Sequence, residues 1–482
     1  MRWRFVLRSV GLIICVIGLL QLPLILVSLC FRDAQAIVFF QSLSLACSFG
    51  LLLYVLFRSH RVEIIAIREG MAIVSLGWVG AGLFGALPFY LSGQIPLFTD
   101  CVFEAFSGLT TTGASILEDV EALAPTLLLW RSLCHWLGGM GIILLSLAIL
   151  PFLGVGGMQL YKAEVPGPTP DKLRPRIKDT ALLLWKVYLL FSCLLFLLLL
   201  LGGMNTFQAV NHAFSTIATG GFSTQNISVG HFDSLYLELV MILFMLIAGT
   251  NFALHFRLLG GQVKPYWRNT EFRVFALLVL SGVVLVSLSV WGEVYDNLGE
   301  SLRYSSFQVM SLITSTGYST ADYDLWPGLA QVVLLLCMLM GGCAGSTAGG
   351  MKCMRLILLF KHGVRELKRL IHPRAVMHLK IGGKLVPEEV LQGIWGYFVL
   401  YLFLTALSAL ALAAMGLDIV TAFTAVIACV SNIGPGFAEV GPAQNYSQVP
   451  LAGKWVLSLC MLLGRLEIYT VLIMFHPQFW KN

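Results

Sequence analysis

Long apolar blocks separated by short polar links run through the whole chain. Two plain blocks come first, residues 6–30 and 38–57, each near the roughly 20 residues that carry a helix across about 30 Å of hydrocarbon. The first block follows Arg2, Arg4 and Arg8, but it is long and lacks a small-residue cleavage site before Arg32 and Asp33, so it reads as a retained helix and not as a secretory signal. Residues 1–69 thus form an N-terminal two-helix hairpin. After them one pattern recurs four times, over residues 70–178, 179–270, 271–387 and 388–482: an apolar helix, a shorter apolar segment ending in a Thr/Ser/Gly interruption, and another apolar helix.

The short segments (103–109, 207–217, 302–313 and 422–430) cannot span a bilayer. They predict re-entrant half-helices that turn at a glycine and return as extended backbone. Non-helical backbone at membrane depth must be covered by protein or line a watery path, so four such turns can surround one axis. The expected fold is an all-α integral membrane protein with ten spans and four helix/pore-loop/helix repeats.

The interruptions are SGLTTTGASI, FSTIATGGFST, MSLITSTGYST and, more loosely, CVSNIGPGF. A monovalent cation leaving water needs its hydration oxygens replaced, and rings of backbone carbonyls do this. Aiming successive carbonyls inward takes unusual dihedrals, which glycine supplies without steric cost. Aligned without gaps, the first three turns superpose Gly113, Gly221 and Gly317, and Gly434 takes the fourth place. The fourth turn, with Asn432, Ile433 and Pro435, departs from the threonine pattern and predicts a departure from strict fourfold symmetry.

Composition narrows the class. Of 482 residues 58% are hydrophobic and 12% charged, and mean hydropathy is +0.85, against about 25% charged residues in a soluble domain. Eleven cysteines lie mostly within the apolar blocks without a CxxC pair, so they read as small core residues, with no disulfide framework or zinc site. Basic residues gather in the links between repeats, including Arg58, His60, Arg61, Arg68, Lys162, Lys172, Arg174, Arg176, Lys178, Arg257, Lys264, Arg268, Arg273, Lys361, Arg365, Lys368, Arg369, Arg374, Lys380 and Lys384. They place those links, and both termini, in the cytoplasm. The net charge of +6 is therefore a topology signal and carries no implication of nucleic acid.

The opposite face is acidic. Asp100, Glu104, Glu118, Asp119, Glu121, Asp233, Glu293, Asp296, Glu300, Asp322, Asp324, Asp418 and Glu439 are expected to line an outer mouth that concentrates cations.

Further positions stand out. Gly341, Gly342, Gly345, Gly349 and Gly350 interrupt the last helix of the third repeat, at about 1 kcal/mol of helix stability each, and predict either a close helix crossing or a flexible loop narrowing the pore. Arg465 falls mid-span by length, either paired with Glu467 or placed in the permeation path. Arg131 and His135, a helical turn apart, read as packing groups, and His212 and His255 as satisfied core histidines. Catalytic residues are not expected, which disfavours a polytopic membrane enzyme.

With FSGLTTTGA, WLGGMGIILLSLAILPFLGVGGMQLYKAEVPGP, GGCAGSTAGGMK, SNIGPG and LLGRLEIYTVL, the chain resembles the Trk/Ktr/HKT superfamily of cation transporters, and within it the bacterial TrkH group, over nearly its whole length. The resemblance implies a potassium uptake protein of the bacterial inner membrane, with one chain supplying four quasi-equivalent repeats around a selectivity filter. It puts ion sites at Thr111, Thr112 and Gly113; Thr219, Gly220 and Gly221; Ser315, Thr316 and Gly317; and Asn432, Ile433 and Gly434. It makes the glycine-rich segment, with Ser346, Thr347 and Lys352, a gating loop, and Arg465 a pore residue below the filter. It further implies a homodimer and a cytoplasmic nucleotide-binding regulatory subunit of the TrkA type. Potassium is then the transported ion, membrane lipids surround the chain, and no nucleotide is expected to bind it. The four glycines disfavour a sodium-selective member of the same superfamily; a sodium- or proton-coupled cation transporter of that superfamily stands as the alternative.

Overall fold

The computed structural model describes residues 1–58, 66–152, 177–375, 377–382 and 384–480. The basic link around Lys162, Lys172, Arg174 and Arg176, and likewise His60 and Arg61, lie outside the described residues. Apart from a two-residue β-hairpin pairing Lys380–Ile381 with Lys384–Leu385, the described regular structure is helical.

Six helices are long and apolar enough to cross a membrane, and two bent helix pairs raise this to eight. The 28-residue apolar helix Pro125–Phe152 and the shorter apolar helix Gly328–Met340 lie where two further spans of the ten are expected, whereas Cys353–Ile371, which follows the latter beyond a break, is amphipathic and basic. Exposed Leu277, Leu280, Leu285 and Leu288 alternate along Thr270–Val290 with buried Phe275, Val286 and Val290, so the outer helices turn a leucine face to lipid.

The N-terminal hairpin packs through its small residues. The first span, Trp3–Phe31, is interrupted at Leu20 and Gln21 just before Pro23, and a Cβ on Gly11 would lie 2.6 Å from the carbonyl oxygen of Gly50 in the helix Ala36–Leu56. Arg2 ties the hairpin to Glu69 of the next helix (2.7 Å), and Asp33 accepts the Thr126 amide (3.0 Å) at the start of Pro125–Phe152.

Four times in succession a long helix is followed by a short buried one: Phe98–Leu109, Thr206–Ile217, Leu298–Ile313 and Ile419–Val430. Asn205, Asn297 and Asp418 cap the last three by accepting the amides of Gln208 (2.8 Å), Gly299 (2.9 Å) and Thr421 (2.9 Å). The helices begin one to five residues before the segments expected from the sequence, because their first turns, which include Thr99, Asp100 and Glu300, are helical too.

Candidate ion pathway

All four short helices end in the same way. The second residue past each helix, Thr111, Thr219, Ser315 or Asn432, is left-handed, with φ between 52° and 54°. Its amide bonds three residues back, and the next amide (Thr112, Gly220, Thr316 or Ile433) donates five residues back to Ser107, Ser215, Ser311 or Ala428, at 2.8 Å in every case. This is a Schellman helix ending, in which glycine usually takes the left-handed place. Holding Thr or Ser there costs about 1–2 kcal/mol. Their side chains find uses: Ser315 Oγ accepts the Gly349 amide (2.5 Å), and Asn432 Nδ2 donates to Met461 O (2.9 Å).

Gly113, Gly221, Gly317 and Gly434 follow one residue later, left-handed again with φ of 80°, 82°, 83° and 100°. In each strand a residue without positive φ stands between two left-handed ones, an alternation that turns successive carbonyls toward one side. The glycines also give the order of the strands. A Cβ on Gly113 would run into the carbonyl oxygen of Gly220, one on Gly221 into that of Thr316, and one on Gly317 into that of Ile433; one on Gly434 would lie 2.7 Å from that of Thr112. Glycines and carbonyl oxygens therefore alternate around a closed ring in which the repeats stand in chain order, first beside second and fourth beside first.

The fourth corner departs from symmetry as its sequence suggested. Its spacing is wider, Gly434 is buried where the other three glycines are partly open, and Tyr446 donates its hydroxyl hydrogen to Gly434 O (2.6 Å).

Below the ring lies the glycine-rich segment. The helix breaks from Gly341 to Lys352, and the segment is packed, with Ser346, Thr347, Gly349 and Gly350 buried and Gly345 exposed. Gly341 and Gly342 back onto Gly349 and Ala348, too closely for side chains. Thr347 Oγ1 donates to Ile217 O (3.1 Å), the end of the second short helix, and the Cys343 amide to Gly249 O (2.8 Å). Lys352, with φ 68°, turns its Nζ back to Ala348 O. Glu271 fastens both flanks: one carboxylate oxygen accepts the amides of Ala344 (2.8 Å) and Met354 (3.0 Å).

Arg465 closes the arrangement. The final bent pair turns through 118° just after it, so Arg465 ends a helix instead of sitting mid-span. Its Nη1 donates to Thr347 O (2.7 Å) and its Nη2 to Gly138 O (3.1 Å). The arginine of the fourth repeat thus joins the glycine-rich loop of the third, itself seated on the end of the second short helix, to the helix Pro125–Phe152 of the first. Pairing with Glu467 is thereby corrected: Glu467, left-handed at φ 64°, binds Arg355, whose guanidinium also stacks 3.8 Å from the centre of the Tyr397 ring.

The acidic mouth also needs correction. Glu104 is fully buried, pairs with Arg131 (2.6 Å) and accepts the Ile116 amide (3.1 Å), so it braces the strand leaving the ring. Asp100 pairs with Lys454 (2.7 Å), and Asp324 accepts the Ala438 amide (3.2 Å). Glu118, Asp119, Glu121, Asp233, Glu293, Asp296, Glu300, Asp418 and Glu439 remain exposed, Asp233 being held by Arg303 (2.8 Å). The Asn226 amide, donating to Asp119 (2.9 Å), keeps that carboxyl below its ordinary value and charged. His212 and His255 are satisfied core residues, bonded to Gln208 O (2.8 Å) and Ile247 O (2.8 Å).

Glu271, Arg355 and Tyr446 carry no signal in the sequence beyond a charge or ring beside an apolar helix. Their parts in holding the loop and the ring depend on contacts with distant segments.

The family model for TrkH, described as a cation transport protein, matches residues 35–482. The chain belongs to the TrkH family. Over its full length it is 45% identical to the Trk system potassium uptake protein TrkH of Salmonella typhimurium and 44% identical to that of Escherichia coli, in both cases covering 100% of the relative. Its fold matches the crystal structure of the potassium transporter TrkH from Vibrio parahaemolyticus with a TM-score of 0.90 at 39% identity, each chain being covered completely. Members of this family are membrane transporters and not enzymes, in keeping with the helical, multi-pass architecture.

Proposed function

We propose that the chain takes up potassium across the bacterial inner membrane through the ring of backbone oxygens at Thr112, Gly220, Thr316 and Ile433 and the glycines that follow them. The observation that carries this reading is the closure of the ring, in which each glycine leaves room for the next strand's carbonyl. Four short helices aim their C-terminal ends, each worth roughly half a negative charge, at the inner side of the ring. A cation is stabilised there, and the guanidinium of Arg465 occupies that same place. The packed loop at 341–352 and Arg465 thus form the closed constriction, and conduction requires both to withdraw. Divergence of the exposed carboxylates from the basic links, with Lys368, Arg369 and Arg374 exposed, supports a cytoplasmic face for the links and the termini. On this reading the protein works as a homodimer, and a nucleotide-binding subunit of the TrkA type acts on that face.

The test is permeability in reconstituted vesicles under separate potassium and sodium gradients. Gly113→Ser puts a side chain against Gly220 O and lowers the potassium-to-sodium ratio. An unchanged ratio in a well-folded variant removes this turn from the filter.

A further inference from the structure

Three strands of the ring carry a side chain at their middle position, Thr112, Thr316 and Ile433, whereas the second carries Gly220. Gly220 is not left-handed, so its backbone does not demand glycine. A neighbour does. A Cβ on Gly220 would lie 2.5 Å from Cγ and 2.7 Å from Cε1 of His135, a residue of the first repeat.

In the first and third strands the corresponding volume is filled locally. Thr112 and Thr110 join their hydroxyls at 2.7 Å, and Thr316 and Thr314 at 2.8 Å. The second strand has Ala218 and Gly220 at these places and no hydroxyl to pair. His135 arrives from the helix Pro125–Phe152, which is wedged between the first and second turns: Cys134 and Gly138 abut Gly108 and Leu109 at the end of the first short helix, and His135 and Gly139 abut Gly220 and Ala218 just past the end of the second. Positions four apart make one stripe on a helix, so the two stripes serve the first and second turns separately.

The imidazole is held firmly. It is fully buried, with Nδ1 3.2 Å from Ser215 Oγ, and Ser215 O is the acceptor for the Gly220 amide. It stacks on Phe222 with centroids 4.1 Å apart, and the Arg131 guanidinium lies 4.0 Å from the centre of that same ring. The histidine thus touches the helix end before Gly220, Gly220 itself and the residue just after Gly221.

We infer that His135 is a positioning residue for ion discrimination: its ring supplies, from the first repeat, the side-chain volume that Gly220 lacks, and keeps the Gly220 carbonyl in register with the other three. The inference rests on reading the ring as the filter. A void behind one strand gives its carbonyl room to shift, and a ring that can shift no longer holds its oxygens at the spacing of one ion.

The experiment is a cycle of variants in reconstituted vesicles. His135→Ala opens the void and lowers the potassium-to-sodium permeability ratio about tenfold, and Gly220→Thr alone lowers it by a similar factor through collision with the ring. Combined, the two changes restore the ratio, since the threonine takes the space the histidine left and matches Thr112 and Thr316. A role confined to stability would move yield and thermal midpoint but not this ratio. Gly221→Ala serves as a control for the filter itself. If it destroys discrimination while His135→Ala leaves the ratio at the parent value, His135 does not position the strand. If neither changes the ratio, the filter reading falls and the inference with it. Should His135→Ala fail to fold, the double variant decides: a folded, discriminating protein supports complementary filling, and one that folds no better than His135→Ala overturns it.

Discussion

The ring and the constriction beneath it are built on opposite plans. At the ring, four repeats contribute one helix ending, one left-handed residue and one glycine each, with four equal 2.8 Å bonds. Beneath it, the proposed constriction takes a loop from the third repeat, an arginine from the fourth, and carbonyls of Ile217 and Gly138 from the second and first. A bare cation needs equal oxygens on every side, which repetition supplies. Closing a path requires only that something stand in it, and a single loop can be moved without disturbing the other three quarters. On the proposed function, the comparison assigns discrimination to the symmetric layer and control to the asymmetric one.

The sharpest way to break this division is at Gly317, where an added Cβ would press closest of the four glycines on a neighbouring oxygen, that of Ile433. Gly317→Ala carries about 1–2 kcal/mol for a left-handed side chain, with the collision in addition. The expected outcome is loss of potassium-over-sodium discrimination or loss of assembly, read by vesicle permeability and by size-exclusion chromatography. A folded Gly317→Ala that discriminates like the parent breaks the assignment of selectivity to the ring.

Arg465→Ala is expected to do the converse. At about 6 Å and an effective dielectric near 20, a fixed positive charge repels a passing potassium ion by roughly 3 kcal/mol, and water halving that figure leaves a barrier worth about tenfold in rate. Cation flux should therefore rise about tenfold with the permeability ratio unchanged, and Arg465→Lys should stay near the parent. Loss of folding without a gain in flux would make the arginine a structural clasp between Thr347 and Gly138.

A smaller effect is expected from Glu271→Gln. The neutral amide keeps an acceptor for the Ala344 and Met354 amides but weakens both bonds, about 1 kcal/mol in all. Resting flux should rise a fewfold through a loosened loop, again without change in the ratio. A shift in the ratio instead would mean that the flanks of the loop also support the ring.

These expectations differ in how far the sequence foretells them. The four turns are legible because their requirements are local. A helix too short to span, a residue able to sit left-handed and a glycine two places on are set by neighbouring backbone, and the same steric rules write them into each repeat. The fourth turn illustrates the limit, since Asn432 and Pro435 announce a departure while the hydroxyl that claims Gly434 O comes from Tyr446, beyond the next loop.

Sequence alone thus determined the class of the protein, the four interruptions and the suspect residues Arg465 and Gly341 to Gly350. Only the tertiary structure decided partners. Arg465 meets Thr347 and Gly138, 118 and 327 positions away, because the final helix pair bends at Leu466 and Glu467, leaving Glu467 to Arg355. Glu104 looked like a carboxylate at the mouth and proved to be buried against Arg131. The physical reason is the same in each case. Backbone conformation is governed over a few residues, whereas the burial and pairing of a charge depend on which segments the closing of the ring brings together.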